Sequence, residues 1–172
     1  MKHILLIPLS FLLVLSCAKL EVKNGISKPL VLRNGLLYSD SISITPFTGR
    51  HKSKMMDQKI EYEVIDGIRE GDFIIYYPND NIQMIGKMNQ NKNVGEWKYY
   101  ASDGRLETLG NYSDDIPDGK WIWYDTDGKV LEEGNFALGK REGEWKSFDT
   151  SGVLKILRSY KMDKLIDSTL IE

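Results

Sequence analysis

Few side chains in this sequence are suited to chemistry. Cys17 is the one thiol in 172 residues, and it stands directly behind an apolar run. A single thiol supports neither a disulfide framework nor a thiolate zinc site, both of which need several. Downstream there is a single His, His51, within Arg50-His51-Lys52-Ser53-Lys54. One imidazole without a second His or a Cys beside it makes a poor metal or acid–base centre, so a solvated loop or strand position is expected for it. The basic stretch suits either anionic headgroups or the upkeep of a soluble edge strand. Asp114-Asp115 and Glu132-Glu133 are paired carboxylates, but neighbours on a strand point to opposite faces and cannot converge on one bond. The sequences Gly-x-Ser-x-Gly, His-Glu-x-x-His and a phosphate-cradling Gly-Lys-Ser/Thr do not occur. The expectation is a protein that is not an enzyme and uses no metal or cofactor.

Aromatic side chains are the remaining candidates. Trp97, Tyr99, Tyr100, Trp121, Trp123, Tyr124, Trp145 and Phe148 recur along the second half of the chain. Because strand residues alternate between faces, Trp121 and Trp123 share one face while Ile122 and Tyr124 share the other. An open sheet leaves some of these rings in water, where they can stack on sugars or grip a protein. The binding surface is therefore assigned to Trp97, Tyr99, Trp121, Trp123 and Trp145. The alternative is that curvature and long polar side chains hide most of these rings.

The elements that position these residues begin after a processing signal. Met1-Lys2-His3 is followed by twelve residues, Ile4 to Leu15, that are apolar apart from Ser10. That run is too short to span a bilayer, which takes roughly 17 to 25 apolar residues, and it suits a secretory leader. Its end, Val14-Leu15-Ser16-Cys17, resembles the bacterial lipobox, which implies cleavage before Cys17 and a diacylglyceryl thioether on its sulfur. Several acyl chains hold a protein on a membrane far more firmly than one. The expected address is the cell envelope, outside the cytoplasm, and Ala18 after the Cys favours an outer-membrane site in a host with two membranes.

The body is a repeat. Gly71, Gly95, Gly119 and Gly143 are 24 residues apart, and each opens a pattern of Gly, polar, aromatic, any, any, aromatic, as in Gly119-Lys120-Trp121-Ile122-Trp123-Tyr124. Nine residues later come Asp80, Gly104, Gly128 and Gly152, three of them in Asp-Gly or Ser-Gly pairs that mark hairpin turns. Met88, Tyr112, Phe136 and Tyr160 then recur in a second strand. Each unit encodes strand, tight turn, strand, looser turn, which predicts an all-β antiparallel meander of about 24-residue hairpin repeats in one elongated, curved sheet. Roughly ten strands are expected. Pro117 cannot donate a ladder bond and is placed in a looser turn, outside a central strand. Glycine falls too often for a helix to survive in this region.

The organisation that follows is a leader over 1–16, a linker and capping hairpin over 17–43 around Asn34-Gly35, a repeat array over 44–164 and a C-terminal cap or tail over 165–172. Terminal units of stacked arrays must close the core and blunt the sheet edge. With 23 basic and 25 acidic residues and a net charge of -2, the chain has no basic field for nucleic acid. Its 41% hydrophobic and 28% charged residues are those of an ordered chain.

Gly-x-Trp-x-x-Tyr followed by Asp-Gly and Gly-x-Tyr at this period resembles the MORN repeat variant, as found in the YwqK-type family labelled toxin–antitoxin antitoxins. The Leu36-Leu37-Tyr38 and Pro46-Phe47-Thr48-Gly49 lead-in is also similar to that family, and the likeness runs from about Leu36 to Lys164. It implies neutralisation of a toxin by direct contact and supplies no catalytic residues.

A two-residue turn at Asp127-Gly128 would place Trp121 across from Gly134, Trp97 from Gly110, Phe73 from Gly86 and Trp145 from Arg158. The last would be a ring beneath a guanidinium. A three-residue turn with a glycine bulge would shift the register and break these pairs. The function expected is that of a non-catalytic, lipid-anchored envelope module for protein binding or scaffolding. An antitoxin-like protein and an envelope glycan binder are the alternatives.

Overall fold

The structure, a computed structural model, describes residues 25–55 and 58–172. The leader expected over 1–16 and the lipidation expected at Cys17 fall outside the described residues. Within them the chain is all β. A small hairpin of β1 (Val31–Arg33) and β2 (Leu36–Tyr38) precedes a single antiparallel sheet of eleven strands in strict sequence order, open at both edges. These are β3 (Gly49–Met55), β4 (Gln58–Ile65), β5 (Ile68–Tyr76), β6 (Ile82–Asn89), β7 (Lys92–Tyr100), β8 (Leu106–Ser113), β9 (Ile116–Tyr124), β10 (Val130–Ala137), β11 (Lys140–Phe148), β12 (Leu154–Lys161) and β13 (Lys164–Leu170).

The turns reverse the expected assignment, and yet the predicted pairs are present. At the Asp-Gly sites the connection is a three-residue loop: Asp125 N donates to Lys129 O at 2.8 Å and Gly128 N to Asp125 O at 3.1 Å. Gly128 has φ 78°, the left-handed conformation that closes such a loop. One residue of slack is then absorbed in β10, where Val130 pairs with Tyr124 but Glu132 pairs with Trp123, leaving Leu131 as a bulge. The same one-residue bulge occurs at Gln83, Glu107 and Lys155. Loop and bulge cancel, so Trp121 faces Gly134, Trp97 faces Gly110, Phe73 faces Gly86 and Trp145 faces Arg158.

The connections expected to be loose are tighter than the Asp-Gly loops. Gln90-Asn91, Asp114-Asp115, Leu138-Gly139 and Met162-Asp163 are two-residue turns with positive φ at both positions, a geometry that matches strand twist. Pro117 therefore lies inside β9, paired with Tyr112, with its carbonyl accepting from Gly139 N at 2.8 Å. It is tolerated because it is second in its strand, beside the turns.

A second irregularity explains the repeating glycine. Between β6 and β7 the ladder passes from Lys87↔Val94 to Ile85↔Lys98, so Gly95, Glu96 and Trp97 oppose the single residue Gly86. Gly95 adopts φ 65° there, a conformation that costs an L-residue roughly 1–2 kcal/mol. Gly71, Gly119 and Gly143 repeat that backbone, as Gly104 and Gly152 repeat Gly128.

The N-terminal end of the array carries a small core of Leu37, Ile60, Tyr62 and Val64, packed with Leu30, Phe47, Phe73 and Ile75. The capping hairpin is pinned to it by Leu37 N to Gly67 O (2.9 Å), Phe47 N to Leu37 O (2.8 Å) and Gly67 N to Phe47 O (2.8 Å). Ser27 N reaches Lys52 O at 2.7 Å on the outer side of β3. At the other end the segment read as a tail, 165–172, contributes most of strand β13, paired along β12 with every side chain exposed.

Candidate functional site

One face of the sheet carries an unbroken file of rings. From Phe47 it runs through His51, Tyr62, Phe73, Trp97, Tyr112, Trp121, Phe136 and Trp145 to Tyr160, with successive centroids 5.1–6.1 Å apart. The tryptophans of first strands meet the Tyr or Phe of second strands edge to face, the arrangement that ring quadrupoles favour by about 0.5–1.5 kcal/mol a pair. Tyr112, Phe136 and Tyr160 were legible in the sequence as a recurring position but not as members of this file.

Glycine makes the file possible. A Cβ on Gly86, Gly110 or Gly134 would fall inside 3.0 Å of the indole of Trp97, Trp121 or Trp145 respectively. Each indole therefore leans on the glycine of the preceding unit, on one side of its strand, while a different residue (Gly110, Gly134 or Arg158) pairs with it on the other. Arg158 ends the series. The guanidinium over Trp145 belongs instead to Arg141, 5.2 Å from the ring centroid and 5.1 Å from that of Tyr160. The expected Trp145–Arg158 stack is corrected accordingly.

Burial also corrects the expected exposed stripe. Trp97, Trp121 and Trp145 are only 2%, 9% and 2% exposed, so these three hold the fold. Tyr99 and Trp123 are half-buried. Trp123 lies near-parallel to Trp121 at 5.8 Å and tilted against Trp145 at 5.6 Å, and Tyr99 is near-parallel to Trp121 at 6.4 Å. The Tyr99 hydroxyl bonds that of Tyr112 at 2.9 Å, and burial pushes its ionisation upward.

Trp121 Nε1 donates to Asn111 O at 3.1 Å and Trp145 Nε1 to Asn135 O at 3.2 Å. Trp97 Nε1 is buried with no partner among the described residues.

Beside Trp123 lies a polar group that the sequence did not reveal. Ser147 Oγ donates to Glu132 Oε1 at 3.1 Å and accepts from Arg158 Nη1 at 2.9 Å. The sites taken by Glu132 and Ser147 belong to Thr108 and Trp123 one unit earlier and to Met84 and Tyr99 before that. The sheet here exchanges ring contacts for ion pairing. Glu132 and Glu133 point to opposite faces, Glu133 pairing with Lys120 at 2.8 Å.

His51 is not solvated: it is 3% exposed, between Phe47 and Tyr62, with Nε2 unpartnered among the described residues, and desolvation lowers its pKa. On the opposite face the basic stretch is spent on an acid. Glu61 is buried, bonded by Arg50, by Lys52 at 2.9 Å and by the Tyr76 hydroxyl at 3.2 Å. Burial alone would raise its pKa, but the bonds from Lys52 and Arg50 outweigh that and hold it below the ordinary carboxylate value. A carboxyl so fixed as an anion has no proton to donate at neutral pH. Among the described residues no cluster of His, Cys, Asp and Glu could hold a metal ion.

No curated protein shows significant sequence similarity to the chain. Residues 69–90, 117–137 and 141–162, which span the hairpins β5–β6, β9–β10 and β11–β12, match the family model described as MORN repeat variant. Over these stretches the sheet is an array of MORN-variant repeats.

Proposed function

We propose that this chain is a non-catalytic protein-binding module, tethered in the cell envelope through a lipid on Cys17. One observation carries the binding reading. On a face whose other tryptophans are locked into the fold, Tyr99 and Trp123 stay half-buried on adjoining units, and part-exposed rings on a rigid sheet are the usual anchors of protein contacts. A flat sugar needs a free ring face. The near-parallel packing of Trp123 on Trp121 and its tilt against Trp145 leave mainly edges, which favours a protein partner over a glycan. Neutralisation of a toxin is the narrower form of the same reading, and the repeat's resemblance to YwqK-type proteins is what supports it.

The test is a cross-linking pull-down from envelope fractions with the full chain and with Trp123→Ala, each shown by circular dichroism to keep its sheet. A partner lost with Trp123→Ala and retained with the exposed-site variant Lys161→Ala is the expected result. Equal recovery from both sinks the ring-face reading. For the address, clickable palmitate labelling is expected to disappear in Cys17→Ala.

A further inference from the structure

The loop after β2 is built, not slack. Asp40 Oδ1 accepts from Ile42 N at 3.0 Å, Ser43 N at 2.7 Å and Ser43 Oγ at 2.8 Å. Arg33 reaches across from β1 to the carbonyls of Ser41, at 3.1 Å, and Ser43. What this bonded loop presents is two isoleucines, Ile42 and Ile44, 86% and 92% exposed. Ile26 and Leu32 in the same cap are also exposed. Ordered apolar tips in water are costly unless something covers them.

Charge identifies the cover. Residues 25–54 hold five basic residues and one acid, whereas residues 58–172 hold 15 basic against 22 acidic. The end of the molecule formed by the cap and edge strand β3 is thus positive, and the remaining strands are negative. Lys28 in the cap and Lys54 on the adjoining edge strand β3 are exposed, while Arg50 and Lys52 are engaged by Glu61. An anionic lipid surface attracts such a cap, at about 1 kcal/mol per basic residue near it, and repels the array. Distance agrees, since the eight residues from Cys17 to Gly25 span at most roughly 28 Å.

We propose that the cap is a membrane-contact surface. Ile42 and Ile44 enter the interface of an anionic bilayer, Lys28 and the neighbouring Lys54 of β3 meet its headgroups, and the acidic repeats are held away from the lipid. The proposal rests on the envelope-tethered reading, and its test is arranged to fail separately from it.

The full chain carrying Cys17→Ser keeps the apolar run Ile4 to Leu15 and has no thiol for an acyl group. An environment-sensitive NBD fluorophore is attached to Ile44→Cys, or to Leu165→Cys at the far end of the array, on vesicles of phosphatidylethanolamine and phosphatidylglycerol with nitroxide lipids. The expected result is a blue shift and several-fold stronger quenching at position 44 than at 165, weakened when phosphatidylcholine replaces phosphatidylglycerol. Adding Ile42→Ser should lower the quenched fraction. Equal quenching at both sites, or none at 44, overturns the proposal. So does a blue shift that grows with protein concentration and ignores nitroxide lipid, which would assign the loop to a second copy. Palmitate labelling of wild-type Cys17 reports on the anchor alone, so a labelled chain with a dry loop would remove only the lipid contact.

Discussion

The indole of Trp121 rests against the backbone of Gly110, leaving no room for even a methyl group between them. The Gly110→Ala variant should therefore lose about 1–3 kcal/mol through overpacking, although Gly110 itself has no positive φ. Urea unfolding checks this as a fall in midpoint at constant slope. A double cycle with Trp121→Leu should show coupling, because the smaller leucine side chain vacates the space. Additive losses would mean that the ring and the glycine act independently.

Trp97 and Trp121 occupy equivalent positions with unequal hydrogen bonding. Trp121 Nε1 has Asn111 O, and Trp97 Nε1 has no partner among the described residues. Removing a satisfied donor orphans its acceptor, whereas removing an unsatisfied one relieves a penalty. Trp97→Phe is thus expected to cost about 1 kcal/mol less than Trp121→Phe, as read from paired denaturation curves. The reverse order would contradict it.

His51 predicts a pH dependence of stability. Its folded pKa lies below the ordinary 6.5 because burial disfavours the cation, and the side chain is packed by Phe47 and Tyr62, with Arg69 beyond at 5.1 Å from the Tyr62 ring. The unfolded chain binds the proton more readily. The stabilising difference is complete above pH 6.5 and is lost as pH falls from there toward the folded pKa, with a slope of at most about 1.4 kcal/mol per pH unit. Thermal melts of His51→Leu should lack that slope below pH 6.5, while the wild type shows it.

Leu131 is the bulge that offsets the Asp-Gly loop. Deleting it leaves Val130 and Glu132 on the faces they already occupy, so the fold should survive with a small loss of stability. Deleting Glu133 instead shifts Gly134 off Trp121 and turns side chains to the wrong face. Near-native tryptophan emission for the first and a red-shifted, cold-melting second variant are expected.

The pairing of Trp121 with Gly134 was legible in the sequence because turn and bulge errors compensate: a two-residue loop and a three-residue loop with one bulge give the same inner register. The period of Gly71, Gly95, Gly119 and Gly143 fixed the strand count within one, ten expected against eleven found. What could not be read is how a ring chooses between its two flanking strands. Trp97 pairs with Gly110 but leans on Gly86, a matter of side-chain direction that spacing does not encode. For the same reason three of the five rings assigned to binding prove to be interior. His51 appeared solvated because its burial depends on the rings of Phe47 and Tyr62, contacts that no local pattern announces. Ile42 and Ile44 fall outside every repeat and carried no signal.

Every strand of the sheet is bonded only to the strands before and after it in the chain. A polypeptide growing from its N-terminus can zip each hairpin shut as it appears, without holding a sticky edge open for a distant partner. Sheets assembled from remote segments are slow to form and prone to clumping; a ribbon laid down in reading order escapes that hazard at each stage of its growth.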